Sequence, residues 1–161
     1  MKIGIFLRFF PPDYTGAGRQ AMGLARAMSS EGVEIEIITP LHDSQASSEE
    51  VHGGVTIHRL SGPWGTGRWS RFRLGRRQAA WVKRRCGDWA AAICFSMSAD
   101  AYPILHRAQG VGLPLILRTS LLGSDDLQAI ASTRFGGWRT RRLSQAAAIV
   151  CTTKAMVGIN R

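Results

Sequence analysis

Two hydrophobic periods alternate along this chain. Short apolar runs recur at Ile3-Gly4-Ile5-Phe6-Leu7, Val33-Glu34-Ile35-Glu36-Ile37-Ile38, Trp89 to Phe95, Leu113 to Leu117 and Ala147 to Cys151. Runs of this length with little polar interruption predict strands covered on both faces. Val55-Thr56-Ile57-His58-Arg59-Leu60 instead alternates apolar with polar, which predicts a strand with one face in water and His58 on the wet side. Between these runs the spacing changes to that of helices: an amphipathic stretch after Gly18, a basic aromatic stretch from Arg68 to Arg85 interrupted or started near Gly75, and Ala101 to Gln109 ending at Gly110 and Gly112. Ser124-Asp125-Asp126 predicts a further helix start, because short polar side chains accept from the unpaired N–H groups of a first turn. Gly136-Gly137 separates that helix from a basic one over Trp138 to Gln145, and barely two turns follow Thr152-Thr153. The Ser-rich segment Leu41 to Val51, closed by Gly53-Gly54, and the segment Gly62 to Gly67 predict loops, the first of them mobile. Strands alternating with helices at this spacing imply a three-layer α/β domain with a mostly parallel sheet, since parallel neighbours need a crossover helix.

The first strand, loop, helix and second strand hold the candidate chemistry. Glycines at Gly16 and Gly18 open the first helix. A helix start gathers unpaired N–H groups and the positive end of the dipole, so it suits a phosphate, a carboxylate or a sugar hydroxyl. Gly16-Ala17-Gly18-Arg19-Gln20-Ala21 also satisfies the G-x-G-x-x-G/A pattern of dinucleotide sites. Against a nicotinamide or flavin site, a loop containing Pro11-Pro12 separates strand from glycines, and the second strand ends at Thr39-Pro40 rather than in an acidic ribose ligand.

The run from Lys2 through Phe9-Phe10-Pro11-Pro12 and Gly16-Ala17-Gly18 to Glu31-Gly32-Val33-Glu34-Ile35 resembles the start of retaining glycosyltransferases with the GT-B architecture, of the group 1 or family 4 type. The resemblance implies that residues 1–161 are a single Rossmann-like, acceptor-side N-terminal domain, with the nucleotide-sugar domain lying outside this sequence. It implies transfer of a sugar, of hexosyltransferase type, from a nucleotide-sugar donor to a saccharide or lipid-linked acceptor, as in cell-envelope polysaccharide synthesis. Gly16, Ala17, Gly18 and Arg19 then bind donor phosphate or sugar, while Tyr14, Ser96 and Ser98 rim the acceptor crevice. Ser120 falls where many family members carry a histidine against the transferred sugar, and Gly123-Ser124-Asp125 is the alternative for that contact. One half of such an active site is inactive alone. No cofactor or metal is expected.

Composition narrows the partners. With 21 Lys and Arg against 11 Asp and Glu, the formal net charge is +10, which favours a polyanionic partner. Arg68, Arg71, Arg73, Arg76, Arg77, Arg84 and Arg85 interleave with Trp69, Phe72 and Trp81. Three readings stand: a solvated face, attachment to anionic lipid headgroups at on the order of 1 kcal/mol per cation, and nucleic-acid binding, which is disfavoured because no RNA- or DNA-binding motif accompanies the charge. A stand-alone basic module that binds a membrane or other polyanion without catalysis is thus the alternative to an enzyme. The apolar runs fall far short of the roughly 20 residues that span a bilayer, and one Lys before a short strand makes no signal peptide. The expectation is a cytoplasmic protein, peripheral on the inner membrane face if its acceptor is lipid-linked. Cys86, Cys94 and Cys151 form no pair with metal or disulfide spacing, and are expected as free thiols, buried at Cys94 and Cys151.

Overall fold

The computed structural model describes residues 1–12, 15–43, 45–119 and 126–159. These form strands β1 (Lys2–Phe6), β2 (Glu34–Pro40), β3 (Glu49–His52), β4 (Val55–Leu60), β5 (Ala91–Cys94), β6 (Leu115–Thr119) and β7 (Ala148–Cys151). The helices are α1 (Gly16–Ser30), α2 (Arg68–Arg85), α3 (Ala101–Gly110), α4 (Leu127–Ala131), α5 (Gly136–Leu143) and α6 (Lys154–Ile159). The strands make one seven-stranded sheet in the order β3-β4-β2-β1-β5-β6-β7. Every pairing is parallel except the β3-β4 hairpin. Without the hairpin strand this is the doubly wound, Rossmann-like order.

Alternation along each strand divides the core in two. Ile3, Ile5, Leu7, Ile35, Ile37 and Ile57 pack with Ala21 and Ala25 of α1. Phe6, Ile38, Cys94, Leu115 and Leu117 pack on the other face with Val82 of α2 and with Ile104, Leu105 and Ala108 of α3. Ala21 and Ala25 are fully buried, and their short side chains let α1 sit close on the sheet. Two covered faces explain why β1 and β2 read as nearly continuous apolar runs.

Three local expectations change. The polar segment before Gly53 contains β3, an edge strand whose side chains are mostly in water, so composition hid it. Gly53 and Gly54, with φ of 58° and 79°, make the turn that pairs it with β4. His58 is buried, not solvated, because β4 lies between β3 and β2 and α2 covers its polar face. Its ring stacks on Trp81 at 4.4 Å, between Glu49 at 3.3 Å and Glu36 at 3.9 Å. Finally, α2 runs unbroken through Gly75. A Cβ there would lie 2.2 Å from the Asp100 carbonyl oxygen, so this glycine is the point at which α2 crosses the start of α3.

Candidate active-site crevice

The strand order reverses between β1 and β5: the chain moves outward through β2 and β4 on one side, and through β6 and β7 on the other. Ligands of open α/β sheets bind outside the carboxyl ends of the strands at such a point. Here that crevice is flanked by residues 7–12, which leave β1, and residues 95–100, which leave β5.

The segment after β1 is held from below. Phe10 is buried in the α1-side core. Phe9 stacks on His42 at 4.9 Å, and the His42 Nε2 meets the Arg8 carbonyl oxygen at 3.0 Å. Arg59 Nη2 donates to the Pro11 carbonyl at 2.9 Å. The backbone of α1 then begins at Thr15, whose Oγ1 accepts from the Gly18 N–H at 3.0 Å. That cap leaves the N–H groups of Gly16 and Ala17 without a partner among the described residues. Gly16 is exposed, with open space around the position of a Cβ. Gly18 differs: it is buried, and a Cβ there would stand 2.9 Å from the Phe9 carbonyl oxygen. Gly18 therefore serves the close approach of helix to loop, and its N–H is already used. Of the predicted Gly16-Ala17-Gly18 cradle, Gly16 and Ala17 keep N–H groups with no partner among the described residues. Arg19 is exposed on the first turn.

Across the crevice, Ser96 and Ser98 aim their hydroxyls inward at one carboxylate. Asp100 Oδ1 accepts from Ser96 Oγ at 2.8 Å and Ser98 Oγ at 2.7 Å, and the two hydroxyls lie 3.0 Å apart. Asp100 and Ser96 are buried, while Ser98 is half-buried. Ser98 is thus the hydroxyl of the pair that can meet a ligand, and Ser96 supports it.

Positive charge frames this arrangement. Arg8, at the end of β1, lies over the Phe9 ring at 5.1 Å and makes no ion pair among the described residues. Burial pushes its guanidinium below the usual arginine range, Asp100 opposes that shift, and Arg71 of α2 adds to it. Arg118, at the end of β6, donates to Gln20 Oε1 at 2.5 Å and lies over the Phe95 ring at 4.7 Å, tying β6 to α1. A partly desolvated guanidinium, and N–H groups without a partner among the described residues, are groups that can hold an anion through charge-assisted hydrogen bonds.

Of the sequence-predicted site, Gly16, Ala17, Gly18, Arg19, Ser96 and Ser98 come together around the crevice. Tyr14, Ser120 and Gly123-Ser124-Asp125 lie outside the described residues. Arg8, Asp100 and Arg118 were missed. A charged residue directly after a switch-point strand, and the Ser-x-Ser-x-Asp spacing, are the signals that mark the first two. Arg68, Arg71, Arg73, Arg76, Arg77, Arg84 and Arg85 all lie on α2. Arg73 and Arg77 donate to the Pro63 and Ser61 carbonyls at 3.3 Å and 3.0 Å, pinning the 61–67 loop. Arg85 meets Glu36 at 3.4 Å, and Arg71 Nε donates to the Thr66 carbonyl at 3.1 Å. Four of those seven arginines therefore serve the fold. Cys94 is buried, Cys151 half-buried and Cys86 exposed. Among the described residues, no three His, Cys, Asp or Glu side chains gather as a metal site, and no helix is long and apolar enough to cross a membrane.

Comparison with known proteins matches residues 15–159 to the family described as Glycosyl transferase 4-like domain. A sequence search of curated proteins gives no match. Among solved structures, sucrose-phosphate synthase from Thermosynechococcus elongatus is similar over 92% of this chain and 41% of its own, at 12% identity and a TM-score of 0.69. An alpha,alpha-trehalose-phosphate synthase (UDP-forming) from Burkholderia xenovorans, in complex with glucose-6-phosphate, is similar over 99% and 41%, at 14% identity and a TM-score of 0.60. The catalytic domain of starch synthase IV from Arabidopsis thaliana, bound to ADP and acarbose, is similar over 73% and 33%, at 12% identity and a TM-score of 0.57. The chain thus spans about two fifths of the length of the first two, 41% in each case.

Proposed function

The chain belongs to the Glycosyl transferase 4-like family and has the Rossmann-like fold of a GT-B domain, and from that premise we propose that it is the acceptor-side half of a retaining glycosyltransferase. It works with a second, nucleotide-sugar domain to move a hexose from a nucleotide sugar to a saccharide or lipid-linked acceptor, and it is inactive alone. The crevice at the β1-β5 switch point carries this reading. Its open N–H groups at Gly16 and Ala17 suit the donor diphosphate or sugar, and the half-exposed Ser98 hydroxyl, oriented by Asp100, suits an acceptor hydroxyl. Such chemistry needs a leaving diphosphate stabilised by fixed positive groups and a sugar held in line with its acceptor. Arg8 supplies one such group from this side. Ser120, in the position where related enzymes use histidine, and Tyr14 complete the proposed sugar contacts.

The test is Gly16→Val in the active enzyme. Because none of the described residues lies within 4 Å of the Gly16 Cβ position, the new side chain crowds the helix start without disturbing the described core. Transfer from radiolabelled nucleotide sugar falls about a hundredfold, the loss of one or two strong transition-state contacts, while the thermal midpoint stays put. Full activity in that variant removes the proposed role of the helix start.

A further inference from the structure

A groove of about 550 Å³ opens where α2, α3 and α5 meet. Its floor is apolar, with Ala79 and Leu105 buried beneath it. Phe72, Tyr102 and Trp138 form its walls, and Arg76, Lys83, Arg107 and Arg142 its rim. Among the described residues, no carboxylate lines it. Arg76, Lys83 and Arg107 are exposed and enter no ion pair among the described residues, whereas Arg73 and Arg77 of α2 are spent on carbonyls of the 61–67 loop. Arg142 leans over the Trp138 ring at 5.8 Å.

Large aromatic side chains stand in solvent on the elements that line the groove, or next to them in the chain. Trp138 is 59% exposed, and Trp69, which meets Phe72 edge-on at 6.3 Å, is 81% exposed. Phe135, at the start of α5, is 70% exposed. Clustered exposed aromatics around an apolar groove mark an interaction surface rather than ordinary surface scatter. An acidic peptide would satisfy the cations but leave Trp69 and Phe135 in water. A bilayer interface accommodates both features, since Trp favours the headgroup level and anionic lipids attract the cationic rim.

We propose that this groove docks the chain on an anionic phospholipid surface, with Trp138 and Phe72 among the acyl chains and Arg76, Lys83, Arg107 and Arg142 on the phosphates. Phe72 directly follows Arg71 on α2, and Tyr102 lies two residues beyond Asp100, so the groove draws on the same two segments of chain as the crevice. Docking there brings the crevice to the membrane surface. It is a binding activity separate from sugar transfer, and its readout does not depend on the donor or acceptor.

The experiment measures partition of the intact chain onto phosphatidylcholine vesicles with and without phosphatidylglycerol, by co-sedimentation and tryptophan fluorescence. The chain binds the anionic vesicles, and added salt releases it. The double variant Arg76→Glu/Arg107→Glu binds about tenfold or more weakly, with its thermal midpoint preserved, whereas Arg26→Glu, on the opposite face of the sheet, changes binding less than about twofold. Lipid brominated in the acyl chain quenches the fluorescence that Trp138→Phe removes. Undiminished binding by the double variant, or quenching that is the same with and without Trp138, overturns the proposal. A chain that ignores both kinds of vesicle leaves the groove to a protein partner and overturns it equally.

Discussion

Gly16 and Gly18 look alike in the sequence and do opposite things. The space around Gly16 is open, whereas Gly18 is wedged against the Phe9 carbonyl and the Thr15 side chain. Gly18→Val therefore costs about 1–3 kcal/mol of stability through overpacking. In a chain of this size that lowers the midpoint by about 2–4 °C per kcal/mol, and a thermal melt beside Gly16→Val separates packing from function. Tyr102 gives a second residue-scale prediction. Burial raises its pKa above 10.0, with the bond from Arg139 opposing the shift. The folded protein holds this proton more tightly than the unfolded chain does. The stability linked to it is complete below the ordinary tyrosine value and is lost as pH rises through the folded-state value. Melting midpoints followed upward through pH 10.0 fall less steeply in Tyr102→Phe than in the parent. An unchanged slope rejects the role of Tyr102, since Lys2, also raised, titrates in both proteins.

At the scale of elements, α2 is joined to the sheet by a buried polar tie. Gln78 Nε2 donates to the Leu7 carbonyl at 3.1 Å and the Ile38 carbonyl at 3.0 Å, binding the helix to the carboxyl ends of β1 and β2 together. These two strands deliver the crevice loop and the segment reaching His42, so the tie fixes the crevice floor. Gln78→Leu leaves both carbonyls without this donor in a buried site, at a cost of about 1–3 kcal/mol. Hydrogen exchange in that variant quickens at residues 7–9 and along α2 before it does in β6; uniform quickening across the sheet counts against a local tie. Nothing in the sequence pattern singled Gln78 out; only the packing of α2 over β1 and β2 shows what it bonds.

For the whole molecule, the sheet order decides where chemistry can occur. One side of the crevice is built here by β1, α1 and β5, and its positive groups among the described residues are few: Arg8, Arg19, Arg118 and two N–H groups. That is too little to hold a nucleoside diphosphate tightly. Calorimetric titration of this chain with nucleotide sugars gives no saturable heat below about 1 mM, the weak end of specific binding. Tight binding to the chain alone contradicts the proposed division of labour between two domains.

Legibility in the sequence tracked how local the physics was. The strands and main helices were readable because side-chain period follows from backbone geometry, and β1, α1, α3 and β6 fall where their patterns put them. The Gly16-Gly18 helix start was readable for the same reason. Neither His58 nor the β3 edge could be read that way: whether a polar side chain is wet depends on which strand lies next in the sheet and which helix covers it. Nor could the separate fates of Gly16 and Gly18, the capture of Ser96 and Ser98 by Asp100, or the groove between α2, α3 and α5. Each is set by contacts between residues distant along the chain or lying on different sides of a turn. Sequence alone determined most of the elements and marked the first loop as the candidate site, because those follow from neighbours along the backbone; the tertiary structure decided which of these groups are left open to a ligand, because only packing determines which polar groups are already satisfied.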